Sequence, residues 1–99
     1  MIGELLPSLA DGQVLSLDEM RRAMNELMEG NFDPVQAASF LTALRLRGES
    51  AEELAGAALA MREHAAETKT KRTGLVDTCG TGGSHVPTFN VSTAAALVV

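Results

Sequence analysis

The segment from Asp77 to Thr93 concentrates the groups with which this chain could do chemistry. Gly80, Thr81, Gly82 and Gly83 form a glycine-rich run, and Ser84 and His85 follow. Small residues let backbone N–H groups approach an anion closely. Asn90, Ser92 and Thr93 then lead into the apolar run Ala94 to Val99. A helix starting there would add unpaired amides and a partial positive charge, which suits phosphate. The hydroxyl and amide oxygens of Ser92 and Asn90 are hard donors of the kind Mg²⁺ accepts, and Mg²⁺ takes few protein ligands when phosphates supply the others. The order predicted is strand, loop, helix, with Leu75 to Cys79 as the strand and Ser92 capping a helix that runs to the end.

Two familiar phosphate motifs are excluded. A dinucleotide-binding fingerprint beginning at Gly80 needs a third glycine at position 85, where this chain has His85. No Gly-Lys-Ser/Thr follows the glycines, so the loop is not of the Walker A type. Cys79 reads as a small strand-end residue, because no activating group stands beside it in sequence. His64 and His85 read as surface residues.

Composition narrows the function classes. The chain has 99 residues, 45% of them apolar, with three Phe and neither Trp nor Tyr. That is enough for one small domain whose core comes from Leu, Ala, Met and Val. The net charge of −5 with mixed signs excludes the basic face of a nucleic-acid binder. With so few aromatics there is no stacking platform for bases. One Cys excludes an internal disulfide and fits a reducing, cytoplasmic setting. The N-terminus lacks the basic start and long apolar stretch of a signal peptide. No apolar run approaches the roughly 20 residues of a membrane span.

The elements that position the loop are mostly helical. Leu5, Leu6 and Leu9 share one side of a helix over 2–9, which Asp11 and Gly12 end. Ser16 and Glu19 have capping-box spacing. Met20, Ala23, Met24, Leu27 and Met28 then recur at helical spacing up to Gly30. Asp33 and Pro34 open a third helix, with Ala37, Phe40, Leu41 and Leu44 as its stripe, Arg45 and Arg47 in its last turn and Gly48 after it. Ser50 and Glu53 make a second capping box. Leu54, Ala57, Ala58, Met61 and Ala65 mark a fourth helix, whose small residues around Gly56 allow close approach of another backbone. Residues 67–74, with Lys69, Lys71 and Arg72, read as a solvated hinge or linker.

The expected architecture is therefore mainly α: a four-helix domain over 1–66, a hinge over 67–74, and over 75–99 the first β-loop-α unit of an α/β domain. A lone strand cannot form a sheet. A helix over 92–99, about 12 Å long, would be apolar all round. The chain thus reads as cut off inside its second domain.

At this point a resemblance becomes specific. Gly80 to Gly83, followed by Thr88-Phe89-Asn90-Val91-Ser92-Thr93, resembles anthranilate phosphoribosyltransferase of tryptophan biosynthesis. Residues 24–30, 34–48 and 52–62 resemble that family's small N-terminal α domain. The likeness runs through essentially the whole chain and about the first third of a family member. It implies transfer of phosphoribosyl from phosphoribosyl pyrophosphate to the amine of anthranilate, with Mg²⁺, in a homodimer paired through the small domain. It also implies that Gly80, Thr81, Gly82, Gly83 and Ser84 line the pyrophosphate, that Asn90, Ser92 and Thr93 hold phosphate oxygens, and that Ser92 contacts Mg²⁺.

The chain departs from the family's pattern at Ser84-His85, where the family's loop usually continues Asp-Gly. This removes a carboxylate near the phosphates and places His85 where a glycine would reach φ > 0 freely. The family's later lysine, acidic metal-binding pair and anthranilate-contacting arginine have no counterpart, so the isolated chain is expected to be catalytically inactive. Two other readings compete. A pyrimidine nucleoside phosphorylase-like enzyme shares the fold but lacks the Thr-Phe-Asn-Val-Ser-Thr continuation. A non-catalytic helical dimerisation module would need only the first 66 residues.

Overall fold

The structure, a computed structural model, describes residues 2–83 and 85–99. The chain forms two compact units, Met1–Glu67 and Thr68–Val99. In order, the helices are α1 (Ile2–Ala10), α2 (Leu17–Met28), α3 (Pro34–Arg47), α4 (Ala51–His64) and α5 (Val91–Val98).

The first unit holds α1 to α4, with α1 packed on α3 and α2 packed on α4. Its helix ends are written in local chemistry. Ser16, Asp33 and Ser50 each accept a hydrogen bond from the backbone N–H three residues on. Glu19, Gln36 and Glu53 return the bond to the cap's own N–H, so all three starts are reciprocal capping boxes. The Asp33–Gln36 box uses the same spacing as the two read from the sequence. α1 and α2 end alike: Gly12 and Gly30, at φ 81° and 80°, turn the chain. Gln13 N–H then reaches Ser8 C=O at 2.9 Å and Asn31 N–H reaches Glu26 C=O at 2.9 Å, closing Schellman motifs.

The core gathers Ile2, Leu9, Leu15, Met20, Ala23, Phe32, Phe40 and Leu44. Phe32 and Phe40 meet edge to face at 5.7 Å between ring centroids, a geometry worth about 0.5–1.5 kcal/mol beyond burial. Leu15 and Phe32 lie outside the helices, each directly before an N-cap. Leu15 and Met20 occupy the two positions of a hydrophobic staple, and both are buried.

α4 differs from expectation. Its buried residues are Glu53, Gly56 and Ala60, with Ala57 packed against the core. Leu54 and Met61, expected inside, are 58% and 54% exposed. The helix is rotated by about one residue, roughly 100°, so that its smallest side chains face α2. At Gly56 an added Cβ would overlap the Leu17 carbonyl oxygen and stand 3.1 Å from Met20 Cβ and 3.2 Å from Arg21 N. Close approach of the two backbones outweighs burial of two larger side chains.

Glu53 ties this unit together. It is 0% exposed. Its Oε1 accepts from Leu15 N–H at 2.8 Å and from Arg47 Nη2 at 2.5 Å, and its Oε2 accepts from Ser50 N–H at 2.8 Å. One carboxylate thus joins the α1–α2 connection, the end of α3 and the start of α4. Burial pushes its pKa up. The Ser50 and Leu15 amides, the Arg47 guanidinium and the Ser50 hydroxyl outweigh that and hold the carboxyl below the usual 4.5. At the surface, Glu63 pairs with Arg21 and accepts from Asn25 Nδ2 at 3.3 Å, while His64 Nε2 bonds Asn25 Oδ1 at 3.1 Å.

In the second unit, α5 begins at Val91 with Asn90 as N-cap, two residues earlier than the Ser92 cap expected, and Asn90 makes no side-chain cap bond. The expected strand at 75–79 is absent, and no strand occurs among the described residues. A strand needs a partner for its ladder. Here Asp77 and Thr78 spend their side chains on other bonds: Asp77 Oδ1 accepts from Cys79 N–H at 2.8 Å, and Thr78 Oγ1 donates to Ser92 C=O, 14 residues on, at 3.2 Å. The β-loop-α expectation thus reduces to an irregular segment, a loop and a helix.

Two predictions follow from the packing of α4. Gly56→Ala, which in an open helix gains up to about 1 kcal/mol, is expected here to destabilise by about 1–3 kcal/mol. Urea unfolding measures this, and a gain in stability would contradict the α2–α4 approach. Glu53→Ala is expected to cost about 3–5 kcal/mol, because it strands the Arg47 charge and two amides. Since the folded-state pKa of Glu53 lies below the unfolded one, its contribution is complete above about pH 4.5 and is lost as pH falls through the folded value. Wild-type stability should therefore fall below that pH more steeply than that of Glu53→Gln.

Candidate functional site

The loop of the second unit is built around Ser92. Gly80 N–H donates to Ser92 Oγ at 3.2 Å, and Thr78 Oγ1 bonds the Ser92 carbonyl. Ser92 Oγ is therefore engaged by the loop, and Gly80 contributes a bonded amide to the site. The amides of Thr81, Gly82 and Gly83 make no intrachain hydrogen bond among the described residues. All three residues are exposed.

Only one of the loop glycines uses backbone freedom: Gly82, at φ 78°. Gly80 and Gly83 have no such need. A Cβ at Gly80 would stand 3.9 Å from Ser92 Oγ, and at Gly83 3.6 Å from Thr81 Oγ1, both ordinary contacts. The fold by itself does not demand glycine at 80 and 83; close approach of something to the backbone would. No described residue other than glycine has positive φ.

The start of α5 supplies further donors. Val91 N–H bonds Phe89 C=O at 2.7 Å, a γ-turn centred on Asn90, whose φ and ψ are −67° and 74°. The first bond across a full helical turn is Ala94 N–H to Asn90 C=O at 3.1 Å. The Ser92 and Thr93 amides come before it and have no intrahelical acceptor. The Asn90 side chain and Thr93 are exposed beside them. Gly80, Ser92 and the first turn of α5 are thus brought together. Thr81 to Gly83 extend from that junction. Ser84 lies outside the described residues.

No group of three or more His, Cys, Asp or Glu that could hold a metal occurs among the described residues. Ser92 Oγ, which accepts one hydrogen bond and keeps a further lone pair, fits a single hard-donor contact to Mg²⁺. Cys79 is exposed, and His64 belongs to the Asn25–Glu63 surface network. The linker basics Lys69, Lys71 and Arg72 are exposed.

The sequence reading passed over a second feature, in the first unit. An open apolar groove of about 700 Å³ runs along α1 and α3, lined by Leu9, Ala10, Gly12, Ala38, Ser39, Thr42, Ala43, Leu46 and Arg47. Leu46 stands 82% exposed at its edge. The signal was available: Ala38, Thr42 and Leu46 recur every four residues beside the Phe40–Leu44 stripe. Arg47 is held by Glu53, so the groove carries little free charge. No helix among the described residues is long and apolar enough to cross a membrane.

Comparison with known proteins agrees with this division. The family described as "Glycosyl transferase family, helical bundle domain" matches residues 3–65. Anthranilate phosphoribosyltransferase from Pelotomaculum thermopropionicum is 48% identical over 99 residues, covering 100% of this chain and 29% of the relative. The enzymes of that name from Teredinibacter turnerae and Rubrobacter xylanophilus are 48% and 51% identical over 98 residues, covering 99% of this chain. The chain spans less than a third of the length of these relatives. No solved structure gives a significant match. By the helical bundle of its first unit the chain belongs to the glycosyl transferase family, and it is similar throughout to the N-terminal region of anthranilate phosphoribosyltransferases.

Proposed function

We propose that this chain provides the helical domain and the pyrophosphate-binding loop of an anthranilate phosphoribosyltransferase. The observation that carries the reading is the whole-length similarity to enzymes of that name, which includes the loop with its free amides. In the reaction, the bond from ribose C1 to pyrophosphate breaks and a bond from C1 to the anthranilate nitrogen forms. The amine then loses a proton to solvent. Positive charge builds on the ribose and negative charge on the leaving group.

The loop's part is to hold that leaving group. Gly80, Thr81, Gly82 and Gly83 line the pyrophosphate, with the amides of Thr81, Gly82 and Gly83 as donors, and Ser84 adds a hydroxyl donor. Asn90, Ser92 and Thr93 bind phosphate oxygens at the positive end of α5. Preorganised donors of this kind contribute roughly 3–4 kcal/mol each when well placed. Mg²⁺, held in part by Ser92 Oγ, would neutralise pyrophosphate charge when bound. The chemistry needs no strong base, because an amine attacks an electron-poor carbon. Residues 67–74 serve as the hinge, and 75–79 become a strand only where neighbouring strands pair with them. A reducing cytoplasm suits an exposed free Cys79.

The groove on α1 and α3 is the surface through which two copies pair. An apolar concavity edged by an 82% exposed leucine is poorly suited to water. This makes the dimer a property of the helical unit and independent of catalysis.

Titration with magnesium phosphoribosyl pyrophosphate is expected to show saturable binding without product when anthranilate is added. A chain that binds nothing would favour a purely associative role, and turnover well above blank would refute the inactivity of the isolated chain. Light scattering should give a dimer at micromolar concentration, and Leu46→Glu should yield monomers with the helical fold kept. A monomeric wild type would remove the pairing role of the groove.

A further inference from the structure

We infer that Thr78, a residue outside the proposed anion contacts, is the positioning residue of the pyrophosphate loop; the inference rests on the pyrophosphate reading above. Along 68–99 every described residue is exposed except Thr78, Ser92 and Ala95, which are half-buried. Ser92 and Ala95, three residues apart, share one face of α5. Thr78, Ser92 and Ala95 therefore mark the joint at which the described residues of the second unit meet, and Thr78 forms its loop side.

The joint has two bonds, and both end on Ser92. Thr78 Oγ1 donates to the Ser92 carbonyl at 3.2 Å, across 14 residues of chain. Gly80 N–H donates to Ser92 Oγ at 3.2 Å. The first fixes where the loop leaves α5, and the second aligns its first glycine with the helix start. Thr81, Gly82 and Gly83 follow immediately, with their amides free. Without the Thr78 bond, the loop is tied to Ser92 through the Gly80–Ser92 contact, whose acceptor is the same hydroxyl proposed to face phosphate or metal. Once Ser92 Oγ turns to a ligand, the Thr78 bond still holds the loop to the helix. Thr78 thus raises affinity by reducing the disorder that ligand binding must remove, without touching the ligand.

The test is calorimetric titration of the 99-residue chain and its variants with inorganic pyrophosphate plus Mg²⁺. Thr78→Val keeps the shape and removes the donor, and it should weaken binding roughly two- to tenfold, the range of one net hydrogen bond. Thr78→Ser restores the donor and should bind like wild type. Thermal unfolding of the helical unit should be unchanged in both, which separates positioning from general stability. Equal binding by Thr78→Val and wild type overturns this inference and leaves the pyrophosphate reading intact. Thr78→Ser as weak as Thr78→Val also overturns it, since the hydroxyl would then be irrelevant. A wild type that binds no pyrophosphate overturns the reading itself and this inference with it.

Discussion

The helical unit depends on one ionised carboxylate held out of water. Glu53 is fully buried, yet its oxygens meet two backbone amides and a guanidinium. Removing such a charge from water costs several kcal/mol unless partners replace the hydration. Here the partners come from three places in the chain: Leu15, Arg47 and Ser50. The carboxylate can be satisfied only when the α1–α2 connection, the end of α3 and the start of α4 have all reached their places. Its desolvation therefore penalises partly assembled arrangements more than the native one. The same residue starts α4 as the return arm of a capping box, so local and tertiary structure rest on one side chain.

The consequence for packing is seen along α4. With Glu53 inward, its neighbours one and two turns on must also face inward, and these are Gly56 and Ala60. Small residues there bring α2 and α4 close enough for backbone contact at Leu17. The larger Leu54 and Met61 are turned outward as a result. The surface of the unit is accordingly more apolar than its core requirement explains, on α4 as well as beside the α1–α3 groove.

The second unit obeys a different constraint. Its residues bury almost nothing, and its order comes from polar contacts to Ser92. Burial is thus a minor organising force, and hydrogen bonds spanning 14 and 12 residues take its place. A loop held this way presents the amides of Thr81, Gly82 and Gly83 to solvent, without a partner among the described residues. That is the arrangement an anion site needs, and it is also why the segment 75–79 remains irregular: a ladder would require a neighbouring strand.

The starts of α2, α3 and α4 and the turns after α1 and α2 were legible from residue types alone, because caps and turn glycines act within four residues; the start of α5 was not, since Asn90 caps it in place of Ser92. Ser16, Asp33, Ser50, Gly12 and Gly30 all do what their local chemistry dictates. The glycine-rich loop and its Asn90-Val91-Ser92-Thr93 continuation were equally legible, since a family likeness resides in order and spacing. Three features were not. The inward face of α4 depends on a glutamate that periodicity counts as polar. Leu15 and Phe32 enter the core from connections, where helical spacing has no reach. The pairing of Thr78 with Ser92 depends on the path of the loop between them. By itself the sequence determined where α2, α3 and α4 begin, because capping is a short-range matter of neighbouring side chains. Only the tertiary structure decided which face each helix buries and how the loop is tied to α5, because those answers rest on contacts between residues far apart in the chain.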